Sequence, residues 1–212
     1  MLRRIFLPLP EDRLVERFVR CIVGLALFGL GIDMFITSEL GAAPWDVFHL
    51  GVERHTGIDV GLVIEITGVF ILLLWIPLRE RMGWGTLLNA VEIGLVVFLL
   101  GDSLPHADRL VLRAAYLAGG LLAIGFGSGL YIGAGLGSGP RDGLMLGLAK
   151  RGHSVRLART GIEAAVLVVG ILLGGNVGVG TAVFAFGIGP VVQYFLPRLR
   201  LHNDRTVLAT AH

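Results

Sequence analysis

Two aspartates occupy the same place in two copies of one short motif. Asp46 ends LGAAPWD (40–46) and Asp142 ends LGSGPRD (136–142). In each copy a glycine permits a sharp turn, and a proline stands where a helix can begin without losing a needed hydrogen bond. The carboxylate two residues later faces the exposed N–H groups of the first turn. As structure alone, such an Asp neutralises a helix dipole. If the helix starts inside a membrane protein, its N–H groups aim at a cavity, and the Asp can bind a cation or carry a proton. Arg141 stands where the first copy has Trp45, so the two sites are not equivalent, and the guanidinium is either a loop anchor or an anion binder.

Further ionisable groups lie in apolar runs: Asp33, Glu65, Glu92 and Glu163. An ionised side chain there costs at least about 3 kcal/mol, so such groups face a bundle interior or a wet cavity. Asp33 is expected near the outer end of its span, reaching water. Thr86, Asn89 and Glu92 recur every third residue and are expected on one helix face. Arg159 and Glu163 are four apart and are expected to pair, for structure or for transport chemistry. Asp46, Asp142, Arg141, Glu65, Glu92, Asn89 and Glu163 are therefore the candidates for substrate binding or coupling. His49, three residues after Asp46, is a candidate proton relay. Gln193, Tyr131 and Tyr194 are expected to be interface anchors or helix-to-helix donors.

A second motif, GWGT (83–86) and GVGT (178–181), also opens helices, with Thr86 and Thr181 as caps for free N–H groups. Pro44, Pro140, Gly137, Gly139, Thr86 and Thr181 make up the helix-start set. No H-E-x-x-H, G-x-S-x-G, Walker loop or Cys/His cluster with metal-ligand spacing occurs in the sequence. Neither an enzyme nor a cofactor nor a metal site is expected. Cys21 is the lone cysteine, so no disulfide forms within the chain.

Positioning these residues is the work of a very apolar chain. Of 212 residues, 54% are hydrophobic and 16% charged, against about a quarter charged in soluble domains. Thirty-two glycines suit helices packed closely in lipid. Runs at 18–38, 58–78, 85–101, 113–134, 157–174 and 180–197 approach the roughly 20 residues that a span requires. The Pro-started segments 44–54 and 140–150 are too short to cross and read as half-helices. Seventeen of the eighteen basic residues are Arg, and no stretch looks like a nucleic-acid-binding arm. The first twelve residues read as a cytoplasmic amphipathic lead-in, not a cleavable signal, with Arg3 and Arg4 able to meet anionic headgroups.

The motifs belong to a longer duplication. At an offset of 96, fifteen of the 39 positions from 13 to 51 are identical, including Gly24, Gly29, Gly31, Leu40, Gly41, Pro44 and Asp46. At an offset of 95, GWGT matches GVGT, and Ile93-Gly94 matches Ile188-Gly189. The fold class expected is an all-α polytopic membrane bundle of about six transmembrane helices plus two half-helices, built from two repeats. The domains expected are a lead-in (1–12), repeat 1 (13–101), repeat 2 (109–197) and a cytoplasmic tail (198–212). Three spans per copy invert the second repeat, while eight crossings would make the repeats parallel. Fifteen of the eighteen basic residues fall inside under either count, so the positive-inside rule does not arbitrate. Helix length favours six, with both termini cytoplasmic.

With LGAAPWD, GSGPRDGLM, GWGT, GILLGGNVGVGT and IGP in this order from about residue 13 to 197, the chain resembles the YczE-like bacterial membrane proteins, grouped with YitT-type proteins. The resemblance implies an integral protein of the bacterial cytoplasmic membrane and no particular activity. The positions it carries over are Gly137, Gly139, Pro140, Arg141, Asp142, Gly143, Met145, Gly178, Gly180 and Thr181. The first copy departs from GxGPxD at Ala43. The function expected is a secondary transporter or permease for a small solute, with proton coupling open and a site between the repeats. The alternative is a non-transporting membrane scaffold or regulatory partner. Partners expected are the lipid bilayer, an unidentified solute and no nucleic acid, with a homo-oligomer or a second membrane protein left open.

Overall fold

Each apolar run forms a helix, and the prolines and glycines between runs set the boundaries. The computed structural model describes residues 6–152 and 154–201, apart from the side chains of 102, 149, 155 and 156. Arg3, Arg4, His153 and the tail from 202 onward lie outside the described residues. The elements are α1 (Leu14–Thr37), α2 (Pro44–Thr56), α3 (Val60–Leu78), α4 (Trp84–Leu100), α5 (Leu110–Gly133), α6 (Pro140–Ala149), α7 (Val155–Leu172) and α8 (Val179–Leu199). The fold is all-helical, and no strand longer than the isolated Phe6–Met82 bridge occurs among the described residues.

Four helices, α1, α3, α5 and α8, are long and apolar enough to cross a membrane. α4 is apolar but has 17 residues. α7 has 18 residues and carries Arg156, Arg159 and Glu163, which lower its hydropathy. The helical, apolar fold fits an integral membrane protein.

Small residues fix how the long helices meet. A Cβ on Gly24 would lie 2.7 Å from the Gly127 carbonyl, and one on Gly31 2.8 Å from that of Gly120. This order makes α1 and α5 antiparallel. Gly125 packs on Val191 and Gly129 on Phe195, so α5 and α8 run parallel. Phe18 meets Trp84 and Gly29 meets Ile93 and Val96, so α1 and α4 do the same. Gly61 approaches Gly94 and Gly68 approaches Ala90, which sets α3 and α4 antiparallel. Backbones this close gain dispersion and exclude lipid. At the α1 end, Arg17 is 1% exposed. Its guanidinium donates to the Ala134 carbonyl at 2.7 Å and to Asp12 at 2.8 Å, tying the start of α1 to the end of α5.

The two short helices start as their sequence dictates. Extended Ala43 and Gly139 precede Pro44 and Pro140 at the first helical position. α2 ends at Gly57, whose left-handed φ of 70° stops it. With 13 and 10 residues, they extend about 20 Å and about 15 Å, short of the roughly 30 Å hydrocarbon core. α2 lies along α7, with Gly170 against Val47 and Phe48 and Gly51 against Leu173. α6 lies along α3, with Gly143 against the Trp75 ring and Gly147 against Leu78.

A reciprocal pair of junctions holds the turns before these helices. The Leu136 carbonyl accepts from Gly85 N–H at 3.0 Å, and the Leu40 carbonyl accepts from Gly180 N–H at 2.7 Å. Thr86 accepts from Gly83 N–H at 3.0 Å, and Thr181 accepts from Gly178 N–H at 3.2 Å. Each threonine thus satisfies an N–H that the helix start leaves free. Gly41 and Gly137 have φ of 114° and 127°, where a side chain is strained. A Cβ on Gly178 would also lie 2.3 Å from the Leu40 carbonyl, and one on Gly83 2.0 Å from that of Leu136. The turn before α2 therefore docks on the start of α8, and the turn before α6 on the start of α4.

Candidate functional site

The amino ends of α2 and α6 converge on one cavity of about 280 Å³. Ala43 to Asp46 line it from one side, and Gly139 to Asp142 from the other. Ile32, Ile64, Ile93, Ile124 and Ile188 supply apolar wall, drawn from α1, α3, α4, α5 and α8. Asn89, Ser128 and Gln193 bring neutral polar groups. All eight helices contribute residues to its lining, so the cavity sits inside the bundle.

Charged side chains in the cavity are held in distinct ways. Asp46, 2% exposed, has one carboxyl oxygen 3.2 Å from Nδ1 of His49. His49 is fully buried, and its Nε2 has no hydrogen-bond partner. Asp142 accepts a hydrogen bond from the Tyr131 hydroxyl at 3.1 Å. Arg159 and Glu163 pair at 3.0 Å across one turn of α7, and both line the cavity. Arg141 lies over the Trp45 ring, 4.8 Å from its centroid. Trp45 and Arg141 occupy the same place in the two motif copies, and the fold stacks one on the other. This cation–π contact orients the guanidinium. Its N–H donors meet no protein acceptor among the described residues.

Of the sequence candidates, Asp46, Asp142, Arg141, Asn89 and Glu163 line the cavity, with Pro44, Pro140 and Gly139. Gly137, Thr86 and Thr181 form the junctions behind it. Glu65 and Glu92 do not line it. Glu65 packs its stem against Gly94 in the α3–α4 seam, and Glu92 faces α1 within electrostatic range of Cys21. Thr86, Asn89 and Glu92 diverge because each three-residue step falls about 60° short of a full turn, so the ends of the series lie about 120° apart. Asp33 is buried, 4% exposed, because α5 covers that stretch of α1. Tyr194 is exposed and stacks with Arg198.

Two aromatic residues gain roles that the sequence reading left unassigned. Trp75 is 1% exposed, and its indole N–H donates to the Pro140 carbonyl at 3.0 Å, fixing the start of α6. Trp45 seats Arg141. A lone tryptophan in an apolar helix gives no local cue to such a partner.

Residues 15–197 match the family described as "Family of unknown function (DUF6198)". An "Uncharacterized protein" of Haemophilus influenzae is 40% identical over 173 residues, covering 81% of this chain and 79% of the relative. The "Uncharacterized membrane protein YczE" of Bacillus subtilis is 33% identical over 212 residues, 95% of each chain. "Uncharacterized protein YyaS" of Bacillus subtilis is 27% identical over 188 residues, covering 85% of this chain and 92% of the relative. No solved structure gives a significant match.

Proposed function

The chain belongs to the YczE-like family DUF6198, whose description assigns no activity, and from the shared cavity we propose a secondary transporter or permease for a small solute. The protein is read as an integral protein of the bacterial cytoplasmic membrane, with the site near the midplane between two inverted repeats. The observation that carries this reading is the cavity at which both half-helix starts and their aspartates meet. Half-helices ending at a buried site are a recurring device of inverted-repeat transporters.

Helix directions support six crossings and inverted halves, 13–101 and 109–197. α1 and α5 hold equivalent places in the two copies and run antiparallel, whereas eight crossings would make them parallel. Each half-helix packs on the second long helix of the other half, and each motif turn docks on the other half's Gly-x-Gly-Thr start. Basic residues cluster at the end where Lys150 meets Glu80 and Arg20 meets the Leu199 carbonyl, and we assign that end to the cytoplasm.

One break in the symmetry supports an access route. α3 packs closely on α4, but α7 makes no comparable contact with α8. Gly94 is enclosed by Gly61 and Glu65, whereas its counterpart Gly189 has open space where a Cβ would stand. Gly189, Gln193 and Glu163 all line the cavity. We read the α7–α8 seam as its mouth and the α3–α4 seam as the closed equivalent, an arrangement that alternating access would exchange. No bond chemistry is assigned to the site.

Thermal unfolding of the purified full chain against ions, amino acids, amines and vitamins tests the reading. A solute at a hundredfold excess over its Kd adds about 2.7 kcal/mol, a rise of about 5–10 °C in Tm. At least one solute is expected to stabilise the wild type and to lose that effect in Asp46→Asn or Asp142→Asn. If no solute stabilises, and both variants behave as the wild type does, the transport reading fails and a membrane scaffold takes its place.

A further inference from the structure

We propose that the cavity selects a small amino-acid-like zwitterion, its carboxylate on Arg141 and its ammonium between Asp46 and Asp142; this rests on the transport reading above. The hydrogen bonds left unmade in the cavity point to such a ligand. Every carboxylate that lines it already has one protein partner: Asp46 has His49, Asp142 has Tyr131 and Glu163 has Arg159. Arg141 has a stacking partner but no acceptor among the described residues. A guanidinium is permanently charged and offers five N–H donors in a planar fork, a shape that matches a carboxylate in bidentate contact. In a largely apolar chamber this is a strong unmet demand for an anionic group.

An anion alone does not balance the chamber. With every group ionised, Asp46, Asp142 and Glu163 against Arg141 and Arg159 already sum to one negative charge. A ligand that brings its own ammonium adds no net charge. The second carboxyl oxygens of Asp46 and Asp142 have no protein hydrogen bond among the described residues, so both are free to accept from an ammonium. Arg141 and Asp142 are adjacent in the first turn of α6, which puts the anionic and cationic ends of a compact ligand within reach of one another's partners. The isoleucine wall suits an aliphatic side chain. The volume of about 280 Å³ lies just under the usual range of ligand pockets, roughly 300–1,000 Å³, which suits a compact solute better than a lipid or a nucleotide.

Titration of leucine, leucinamide and isocaproate into the purified full chain tests the inference. Leucine keeps both charges, leucinamide lacks the carboxylate and isocaproate lacks the ammonium. Binding is read from intrinsic tryptophan fluorescence, because Trp45 lines the cavity, with Trp45→Phe as the control for the signal and thermal shift as a second readout. Leucine is expected to bind at least tenfold more tightly than either analogue. Arg141→Gln is expected to erase the preference for leucine over leucinamide, and Asp142→Asn the preference over isocaproate, at an unfolding temperature near that of the wild type. The inference is overturned if an analogue binds as tightly as leucine, if Arg141→Gln leaves the preference intact, or if leucine does not bind. Stabilisation by inorganic phosphate or by a plain amine instead would overturn the zwitterion and leave the transport site standing. Stabilisation by no solute at all, with Asp46→Asn and Asp142→Asn behaving as the wild type does, would remove both.

Discussion

Equivalent glycines in the two halves should respond in opposite ways to the same substitution. A Cβ at Gly94 would lie 2.4 Å from the Gly61 carbonyl oxygen and 2.5 Å from Cγ of Glu65. The carbonyl belongs to a helix backbone and cannot rotate aside, so Gly94→Ala must part α3 from α4. An approach this close to a backbone atom takes the upper part of the overpacking range, about 2–3 kcal/mol, against a gain of about 1 kcal/mol from replacing a mid-helix glycine with alanine. The net loss is about 1–2 kcal/mol, a fall of about 2–8 °C in Tm for a chain of this length. At Gly189 nothing lies within 4 Å of the added carbon, so Gly189→Ala keeps only the gain, and Tm should hold or rise by up to about 4 °C. Thermal unfolding in one detergent, followed by tryptophan fluorescence, measures both. If Gly189→Ala lowers Tm as much as Gly94→Ala does, α7 closes on α8 as α3 closes on α4. The mouth proposed for the cavity would then not exist.

Two further outcomes follow from single contacts. Tyr131→Phe removes the only hydrogen bond that the Asp142 carboxylate receives among the described residues and keeps the ring that meets Phe28 edge-on at 6.4 Å; it should cost about 1.5 kcal/mol, read as a fall of about 3–6 °C in Tm. The Arg17 guanidinium hydrogen-bonded to Asp12 holds that carboxyl below its usual range. Its stabilisation is complete above the ordinary Asp value of about 3.9 and is lost as pH falls through the folded value. Asp12→Asn should therefore make the acid-side decline in Tm shallower and leave its slope at neutral pH unchanged.

Much of the helix layout was legible because lipid leaves the backbone few alternatives. Apolar length marked the long helices, and the expected short segments 44–54 and 140–150 correspond to α2 (Pro44–Thr56) and α6 (Pro140–Ala149). Proline after an extended residue announces a helix start whatever surrounds it, so Pro44 and Pro140 were readable locally. Rotational phase was not. Ile64 lines the cavity while Glu65, one residue and about 100° further round, faces α4. In an all-apolar helix no polar stripe fixes which side is inner, so Glu65 and Glu92 could not be sorted from Asn89. The pairings of Trp45 with Arg141 and Trp75 with Pro140 link residues 96 and 65 positions apart, and no local pattern encodes them. The reciprocal docking of Leu40 and Leu136 on the Gly-x-Gly-Thr starts had a trace in the sequence, since both motifs recur in both halves. Their meeting in space needed the fold.

Thiol labelling of a cavity position from one side of a sealed membrane is the most direct test of a water-reached chamber between the two short helices. Wild type carries only Cys21, fully buried against α5, and should not react. Ser128→Cys and Asn89→Cys place a thiol on the cavity wall, and Thr56→Cys at the exposed end of α2 serves as the accessible control. Both cavity thiols should react with a membrane-impermeant methanethiosulfonate from one side of the membrane. Labelling of Thr56→Cys alone, with neither cavity thiol reached from either side, would contradict the chamber and the solute path through it.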